Sequence, residues 1–199
     1  MGQGKGKKPA TYEDLEQLPV GWVGEIIADE LYASPRPASP HLRVANRLSA
    51  LVTMRFDMAQ GGPGGWWFFD EPELHFGRDV VVPDVAGWRR ERVAEPPNAP
   101  WLTLAPDWLC EILSPSTWPV DLHRKMPLYH RQGVQHAWII DPVQRTLEVH
   151  ERGTKRWKRV DLYRDDAIVR AEPFDVVTLD LGLLWLPDAR RGREGPPAP

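Results

Sequence analysis

The sequence predicts an α/β fold in which a mixed β-sheet carries helices on its faces. One long amphipathic helix precedes a run of short strands, and a strand–helix–strand unit follows them. That order of elements is typical of one mixed sheet with helices packed against it. The chain has 199 residues, which suits one domain, and we assign residues 11–188 to it. Segments 1–10 and 189–199 are rich in Gly, Pro and basic residues, and we expect them to be disordered tails.

A short helix and a β-hairpin are predicted ahead of this core. The segment "TYEDLEQLP" indicates a helix that Thr11 caps and that ends before Pro19. The segment "WVGEIIADELYAS" indicates a hairpin with strands near 22–28 and 30–34. Both are additions to the central sheet.

The long helix is predicted over residues 39–60. Ser39 is a suitable N-cap, Pro40 occupies the first helical position, and Gly61 follows the end. Apolar residues three or four positions apart predict the stripe that faces the core. The members of that stripe are Leu42, Ala45, Leu48, Val52 and Phe56.

The rest of the core follows as strands and one more helix. Strands are predicted at 66–70, 73–76 and 79–88, then a Pro-rich loop, a strand in "DWLCEILS", a helix over 117–132 and strands in "QHAWIIDP", "TLEVHERG" and "RWKRVDLY". Pro127 either kinks the second helix or marks its first turn, and the sequence leaves both open.

Carboxylates stand on segments that otherwise predict buried strands. Glu111 lies within "WLCEILS", Asp84 follows "VVVP", and Glu25 lies within "WVGEII". Because side chains alternate along a strand, Glu111 shares its face with Leu109 and Leu113. One such acid alone is explained by a side chain that points to water. Three converging acids need another explanation.

Converging carboxylates require a proton or a cation. Two carboxylates about 4 Å apart repel by roughly 4 kcal/mol at an effective dielectric constant near 20. Lys125 adds one positive charge, with Asp121 one helical turn before it. Three acids and one lysine leave a charge of about −2, which a divalent ion neutralises. Oxygen ligands favour Mg²⁺ or Mn²⁺ over Zn²⁺.

These residues carry a resemblance to a known family. The string "EPELHFGRDVVVPDVAGW" together with "APDWLCEILSPSTWPVDLHRKMPLYHRQGVQHAWIIDP" resembles the Uma2 family of the PD-(D/E)XK nuclease superfamily. The similarity runs over roughly residues 12–185. In the superfamily the lysine lies two residues after the second acid, where this chain has Leu113. Lys125 therefore resembles a lysine that has migrated to the following helix.

The resemblance implies a fold and a division of roles. The fold is a restriction-endonuclease-like core with the N-terminal helix and hairpin added. Asp84 and Glu111 would bind Mg²⁺ or Mn²⁺, and Glu25 would bind the ion or one of its waters. Lys125 would orient or deprotonate the attacking water and stabilise the charge of the phosphorane.

Three further residues are possible supporting members of the site. The family often has a histidine where His41 stands, although a helix-end histidine that bonds to solvent is the simpler interpretation. Asp121 either tethers Lys125 or caps its helix. For Tyr129, core packing is the simpler interpretation.

Two basic segments are candidates for nucleic-acid contact. Arg89 and Arg90 directly follow the strand that bears Asp84, in "WRRER". The segment "ERGTKRWKR" interleaves basic residues with an aromatic one, a pattern that grips phosphates and stacks a base. Its candidates are Arg152, Lys155, Arg156 and Trp157. A solvated hairpin face is the alternative.

Composition limits the classes of function. The net charge of −3 gives no global basic field, so nucleic-acid contact needs a local patch. The single cysteine, Cys110, fits a reducing compartment, and no apolar run is long enough for a membrane span, so we expect a cytoplasmic protein without membrane contact. Trp66, Trp67 and Trp157 look exposed in a chain with 10 tryptophans, which suggests a homodimer.

The function expected from these observations is Mg²⁺-dependent hydrolysis of DNA phosphodiesters. Two alternatives stay open: a catalytically silent binding or interaction module, and a metal-dependent hydrolase of small phosphodiesters. The presence of Glu25, Asp84, Glu111 and Lys125 together argues against a decayed enzyme.

Overall fold

The computed structural model describes residues 8–187, so the predicted tail 189–199 and most of the tail 1–10 lie outside the described residues. The added N-terminal elements are present as predicted. Helix α1 spans Tyr12–Glu16 behind the N-cap Thr11, and a hairpin follows it, with strands β1 (Trp22–Ile27) and β2 (Glu30–Pro35). Ala28 and Asp29, the two turn residues of this hairpin, both have positive φ, as a tight two-residue turn requires.

The strands form two main sheets. A four-stranded sheet has the order β2-β1-β5-β4, and a six-stranded sheet has the order β10-β9-β8-β7-β6-β3. In the second sheet only β7 and β8 are parallel, so this sheet is mixed, as predicted. The bounds are β3 Trp66–Asp70, β4 Leu74–Phe76, β5 Asp79–Val81, β6 Val85–Arg89, β7 Trp108–Ile112, β8 His136–Asp141, β9 Thr146–Arg152 and β10 Trp157–Arg164.

The single strand predicted over 79–88 is two strands that belong to different sheets. Strand β5 ends at Val81 and pairs with β1 and β4, whereas β6 begins at Val85 and pairs with β3 and β7. Pro83 lies in the break, and its ring nitrogen has no proton for a ladder hydrogen bond. Asp84 therefore lies at a junction between two sheets and not within a strand, which corrects the prediction.

Helix α2 covers one face of the six-stranded sheet. It spans Ser39–Val52 and continues through a π-helical turn, Thr53–Asp57. Its N-cap is Ala38 and not Ser39, so the predicted start was late by one residue. Leu42 was also assigned wrongly to the core, since 49% of it is exposed. The buried stripe keeps Leu48, Val52 and Phe56 as predicted, and at its N-terminal end His41 and Val44 are buried in place of Leu42 and Ala45.

The second helix covers the opposite face. It begins as α3 (Trp118–Val120), passes through a π-helical turn at Asp121–Lys125 and continues as α4 (Met126–Gln132). Pro127 therefore lies inside a continuous helical segment, directly after the π-helical turn. Because its nitrogen donates no hydrogen bond, the wider turn before it accommodates the missing bond.

Two apolar cores lie on the two sides of the six-stranded sheet. One side packs α2 against Trp108, Cys110 and Trp138, with the C-terminal elements added to it. The other side packs α4 against Leu109 and the four-stranded sheet. The C-terminal elements are β11 (Ile168–Val169), β12 (Leu179–Asp180) and a short 3₁₀ helix, Leu181–Leu183.

Within residues 8–187, no helix combines the length and the apolar character that a membrane span needs. Trp66 is buried and Trp67 and Trp157 are half-buried, so these three rings are less exposed than the sequence suggested.

Candidate active site

The four main candidate residues line one pocket between the two sheets. The pocket has a volume of about 130 Å³ and is lined by Glu25, Asp84, Glu111 and Lys125, among others. Glu25 comes from β1, Asp84 from the break between β5 and β6, Glu111 from β7, and Lys125 from the π-helical turn. The structure thus brings together residues that are 100 positions apart in the sequence.

Lys125 lies at the centre of the carboxylates. Its Nζ is 3.0 Å from Oε1 of Glu25, 2.9 Å from each carboxylate oxygen of Glu111 and 3.5 Å from Oδ1 of Asp121. It also donates to the backbone carbonyl of Val82 at 3.0 Å. Burial alone would lower the pKa of Lys125, but Glu111 and Glu25 raise it well above its usual value. The ammonium group therefore stays charged.

Glu111 is almost completely buried in the middle of β7. Tyr129 is fully buried and donates its hydroxyl proton to Oε1 of Glu111 at 2.7 Å. Tyr129 therefore both packs in the core and contacts the site. Burial, opposed by the charge of Lys125, raises the pKa of Glu111 well above its usual value. Burial thus disfavours the charged form of this carboxyl, and the contact with Lys125 favours it.

Asp84 is held by two contacts from different elements. Its Oδ2 accepts a hydrogen bond from the backbone N–H of Ile112 at 2.6 Å, and its Oδ1 lies 3.0 Å from Nε2 of His41. His41 is buried, so the expectation that it bonds to solvent was wrong. His41 lies at the N-terminal end of the buried face of α2, so its side chain points inward. Its Nδ1 is a buried polar atom without a hydrogen-bond partner.

Asp121 contributes a further carboxylate to the pocket, and this carboxylate faces Lys125. Burial raises the pKa of Asp121 to about 6, although Lys125 and a hydrogen bond from Thr117 act to lower it. The carboxyl lies on the pocket side of the π-helical turn. Of the two interpretations of Asp121, the contact with Lys125 is the one present in the structure.

The donor set fits a hard divalent cation in chemistry and charge. The carboxylates of Glu25, Asp84, Glu111 and Asp121 together with the ammonium group of Lys125 leave a formal charge of −3. The pKa values of Glu111 and Asp121 are raised, so both carboxyls bind protons more readily than usual when no other cation is present. All these side chains offer oxygen ligands, which Mg²⁺ and Mn²⁺ prefer. Across residues 8–187, no three acidic, His or Cys side chains are already spaced as a metal site. In this pocket the Lys125 ammonium lies among the carboxylates.

The basic candidates Arg89 and Arg90 lie at the opposite end of the sheet. Arg89 ends β6, whereas Asp84 precedes its first residue. The guanidinium of Arg89 lies over Trp66, and that of Arg90 lies 3.8 Å from the ring centroid of Trp67. Arg90 also contacts the carboxylate of Asp57. These arginines are engaged within the fold and are remote from the pocket.

The basic hairpin between β9 and β10 packs against α4. Trp157 donates its indole proton to the carbonyl of Met126 at 2.7 Å, and Arg152 donates to the carbonyl of His130 at 3.0 Å. The half-buried Trp157 is therefore a packing residue. Lys155 and Arg156 are exposed at the tip of the hairpin, at the end of the sheet away from Glu111.

One acid at the pocket was not predicted from the sequence. Glu71 follows β3 with a positive φ of 46° and lines the pocket. Its backbone N–H donates to the carbonyl of Asp84 at 3.0 Å, which links the end of β3 to the sheet junction. Only the pairing of β3 with β6 brings Glu71 here, and no local motif marks that pairing.

Comparisons with known proteins agree with this architecture. A solved structure titled "Crystal structure of a putative nuclease belonging to DUF820", from Anabaena variabilis ATCC 29413, superposes with a TM-score of 0.70 at 23% identity. The match covers 88% of this chain and 98% of that one, and it shows a shared restriction-endonuclease-like fold. Among curated proteins, none matches the chain. The Uma2 family model, described as "Putative restriction endonuclease", matches residues 9–182, and the chain therefore belongs to the Uma2 family.

Proposed function

We propose that this protein is a Mg²⁺- or Mn²⁺-dependent endonuclease that hydrolyses DNA phosphodiesters. The observation that supports this proposal is the convergence of Glu25, Asp84, Glu111 and Lys125 on one pocket with an excess of negative charge. Membership of a nuclease family agrees with it. We also propose a cytoplasmic homodimer, since cleavage of both strands of a duplex requires two active sites or two visits.

The acidic residues would hold the ion. Asp84 and Glu111 are the proposed ligands, with Glu25 binding the ion or one of its waters. A bound divalent ion lowers the pKa of water and offsets the charge of the phosphate. His41 would orient the carboxylate of Asp84 through its Nε2 contact, and Tyr129 would orient that of Glu111 through its hydroxyl.

Lys125 is assigned an electrostatic role. Because Glu111 and Glu25 raise its pKa, the ammonium keeps its proton in the metal-free chain. It is therefore suited to orient the attacking water and to stabilise negative charge on the phosphorane. It is less suited to remove a proton from that water.

The experiment compares metal-dependent cleavage by the wild type and by Asp84→Asn, Glu111→Gln and Lys125→Ala. Plasmid DNA, single-stranded oligonucleotides and RNA are incubated with Mg²⁺, Mn²⁺ or EDTA. We expect cleavage of DNA that needs the metal and that falls by about a hundredfold or more in each variant. Arg78→Gln is the control, since Arg78 is exposed in the turn between β4 and β5, where it pairs with Asp29, and this variant should leave the rate unchanged.

Cleavage that persists in EDTA would contradict the proposal, and so would equal cleavage by the wild type and Glu111→Gln. An inactive wild type that still binds DNA would favour the silent binding module. A small phosphodiester that competes poorly with DNA would exclude the small-substrate hydrolase.

A further inference from the structure

An arginine stands at the rim of the pocket between two residues that line it. Pro35 and Pro37 both line the pocket, and Arg36 between them has 65% of its side chain exposed. Its Nη1 lies 3.8 Å from Oε2 of Glu71, which lines the pocket from the side of β3. Arg36 and Glu71 therefore face each other across the mouth.

The backbone of this arginine is held in place while its side chain stays accessible. The two prolines fix their own φ angles, and Pro37 also restricts the conformation of the residue before it. The N–H of Arg36 donates to the carbonyl of Gly21 at 3.0 Å. A guanidinium on a rigid backbone loses less conformational freedom when it binds a ligand.

The pocket has an excess of negative charge, which an accessible cation such as the guanidinium of Arg36 would offset. The lining includes five acids: Glu25, Glu71, Asp84, Glu111 and Asp121. Within the described chain, Lys125 is the only lysine or arginine in that lining, and it is buried and engaged with carboxylates. Even with the proposed divalent ion bound, five carboxylates and one ammonium group leave a formal charge of −2, so a phosphodiester is still repelled unless an accessible cation at the mouth binds it.

We propose that Arg36 binds a phosphate that neighbours the one hydrolysed, so that the site selects polynucleotides over small phosphodiesters. This inference rests on the proposed function. The pair with Glu71 is exposed and 3.8 Å long, and such pairs contribute little, so the guanidinium exchanges Glu71 for phosphate at small cost. The planar guanidinium matches two phosphate oxygens at once.

Arg78 provides a matched control. Its side chain is 67% exposed, close to the value for Arg36, and it is paired with the exposed Asp29 at 3.0 Å. Arg78 lies in the turn between β4 and β5, and Asp29 lies in the turn between β1 and β2. That end of the hairpin is opposite to the end that bears Arg36, so Arg78 carries the same charge away from the mouth.

The first experiment compares Arg36→Gln and Arg78→Gln on two substrates, an oligodeoxynucleotide and bis(p-nitrophenyl) phosphate. Arg36→Gln should lower kcat/KM for the oligonucleotide about tenfold, the loss expected for one charged hydrogen bond. It should leave hydrolysis of the small phosphodiester unchanged, since that substrate has no second phosphate. Arg78→Gln should change neither. Equal losses on both substrates, or equal effects of the two variants, would overturn the proposal.

The second experiment measures binding without cleavage, by fluorescence anisotropy of the labelled oligonucleotide in Ca²⁺. Arg36→Gln should reduce the slope of log K against log salt by about 0.7–0.9, the value for one phosphate contact. Glu71→Gln should tighten binding, because it removes a negative charge and frees Arg36. An unchanged slope would refute the role of Arg36. This measurement tests the phosphate contact of Arg36 separately from the proposed endonuclease function, because it does not require that the wild type cleaves the oligonucleotide.

Discussion

Replacing Glu111 by glutamine removes one charge from the pocket and keeps the shape of the side chain. The attraction between Glu111 and Lys125, 2.9 Å apart, is about 6 kcal/mol at an effective dielectric constant near 20. The oxygens of Glu25 and Asp121 also lie close to Nζ, and so lie no more than about 6 Å from those of Glu111. Each repels Glu111 by about 3 kcal/mol or more on the same scale.

Attraction and repulsion therefore nearly cancel for this carboxylate, and burial adds a cost to its charge. The pKa of Glu111 is raised, mainly by burial, which agrees with this cost of its charge. We expect the metal-free Glu111→Gln variant to be as stable as the wild type or more stable. Gln also offers an oxygen that accepts the hydroxyl proton of Tyr129.

Thermal unfolding with and without Mg²⁺ measures these effects. At a Mg²⁺ concentration of 100 times Kd, the wild type should gain about 2.7 kcal/mol, or about 5–10 °C in Tm. Glu111→Gln should gain much less. Lys125→Ala should be less stable without metal, because three carboxylates lose their cation, and should gain at least as much from Mg²⁺ as the wild type.

Glu148→Gln is the control for this series. Glu148 lies in the same register row as Glu111, two strands away, where it pairs with Arg159. The Tm of Glu148→Gln should rise with Mg²⁺ as much as that of the wild type. If Glu111 is merely structural, Glu111→Gln loses about 3–5 kcal/mol with and without Mg²⁺. That result, or a wild type that Mg²⁺ does not stabilise, refutes the reasoning.

His41→Phe should weaken Mg²⁺ binding about 10–100-fold in calorimetry, because Asp84 loses its orienting contact; an unchanged Kd contradicts this. Asp121→Asn should flatten the pH dependence of stability. The pKa of Asp121 rises from 3.8 unfolded to about 6 folded, so its contribution is full below pH 3.8 and is lost as the pH rises through about 6. Between pH 4 and pH 7, urea titrations of the metal-free proteins should therefore show a change in unfolding free energy that differs between wild type and variant by about 2.4 kcal/mol, and parallel curves contradict this prediction. Light scattering at micromolar concentration should give the mass of a dimer, and a strict monomer removes that proposal.

Local signals in the sequence were enough for most elements and for the main acids. Thr11 before a short helix, the spacing of Leu48, Val52 and Phe56, and the apolar run around Glu111 each depend on residues within a few positions of one another. Capping, helical periodicity and strand alternation act over that range. The C-terminal part of the buried face of α2 and the side of the sheet that carries Glu111 therefore follow from the sequence alone.

Contacts between distant segments required the tertiary structure. Pro83 divides a run of valines between two sheets, and only the pairing of both halves puts Asp84 at their junction. At the start of α2, His41 and not Leu42 faces inward, a choice set by the packing of the helix against Trp108 and its neighbours. Arg36 and Glu71 lie 35 residues apart and meet only where two sheets form one mouth. Such contacts depend on how whole elements pack, and short-range propensities do not encode that packing.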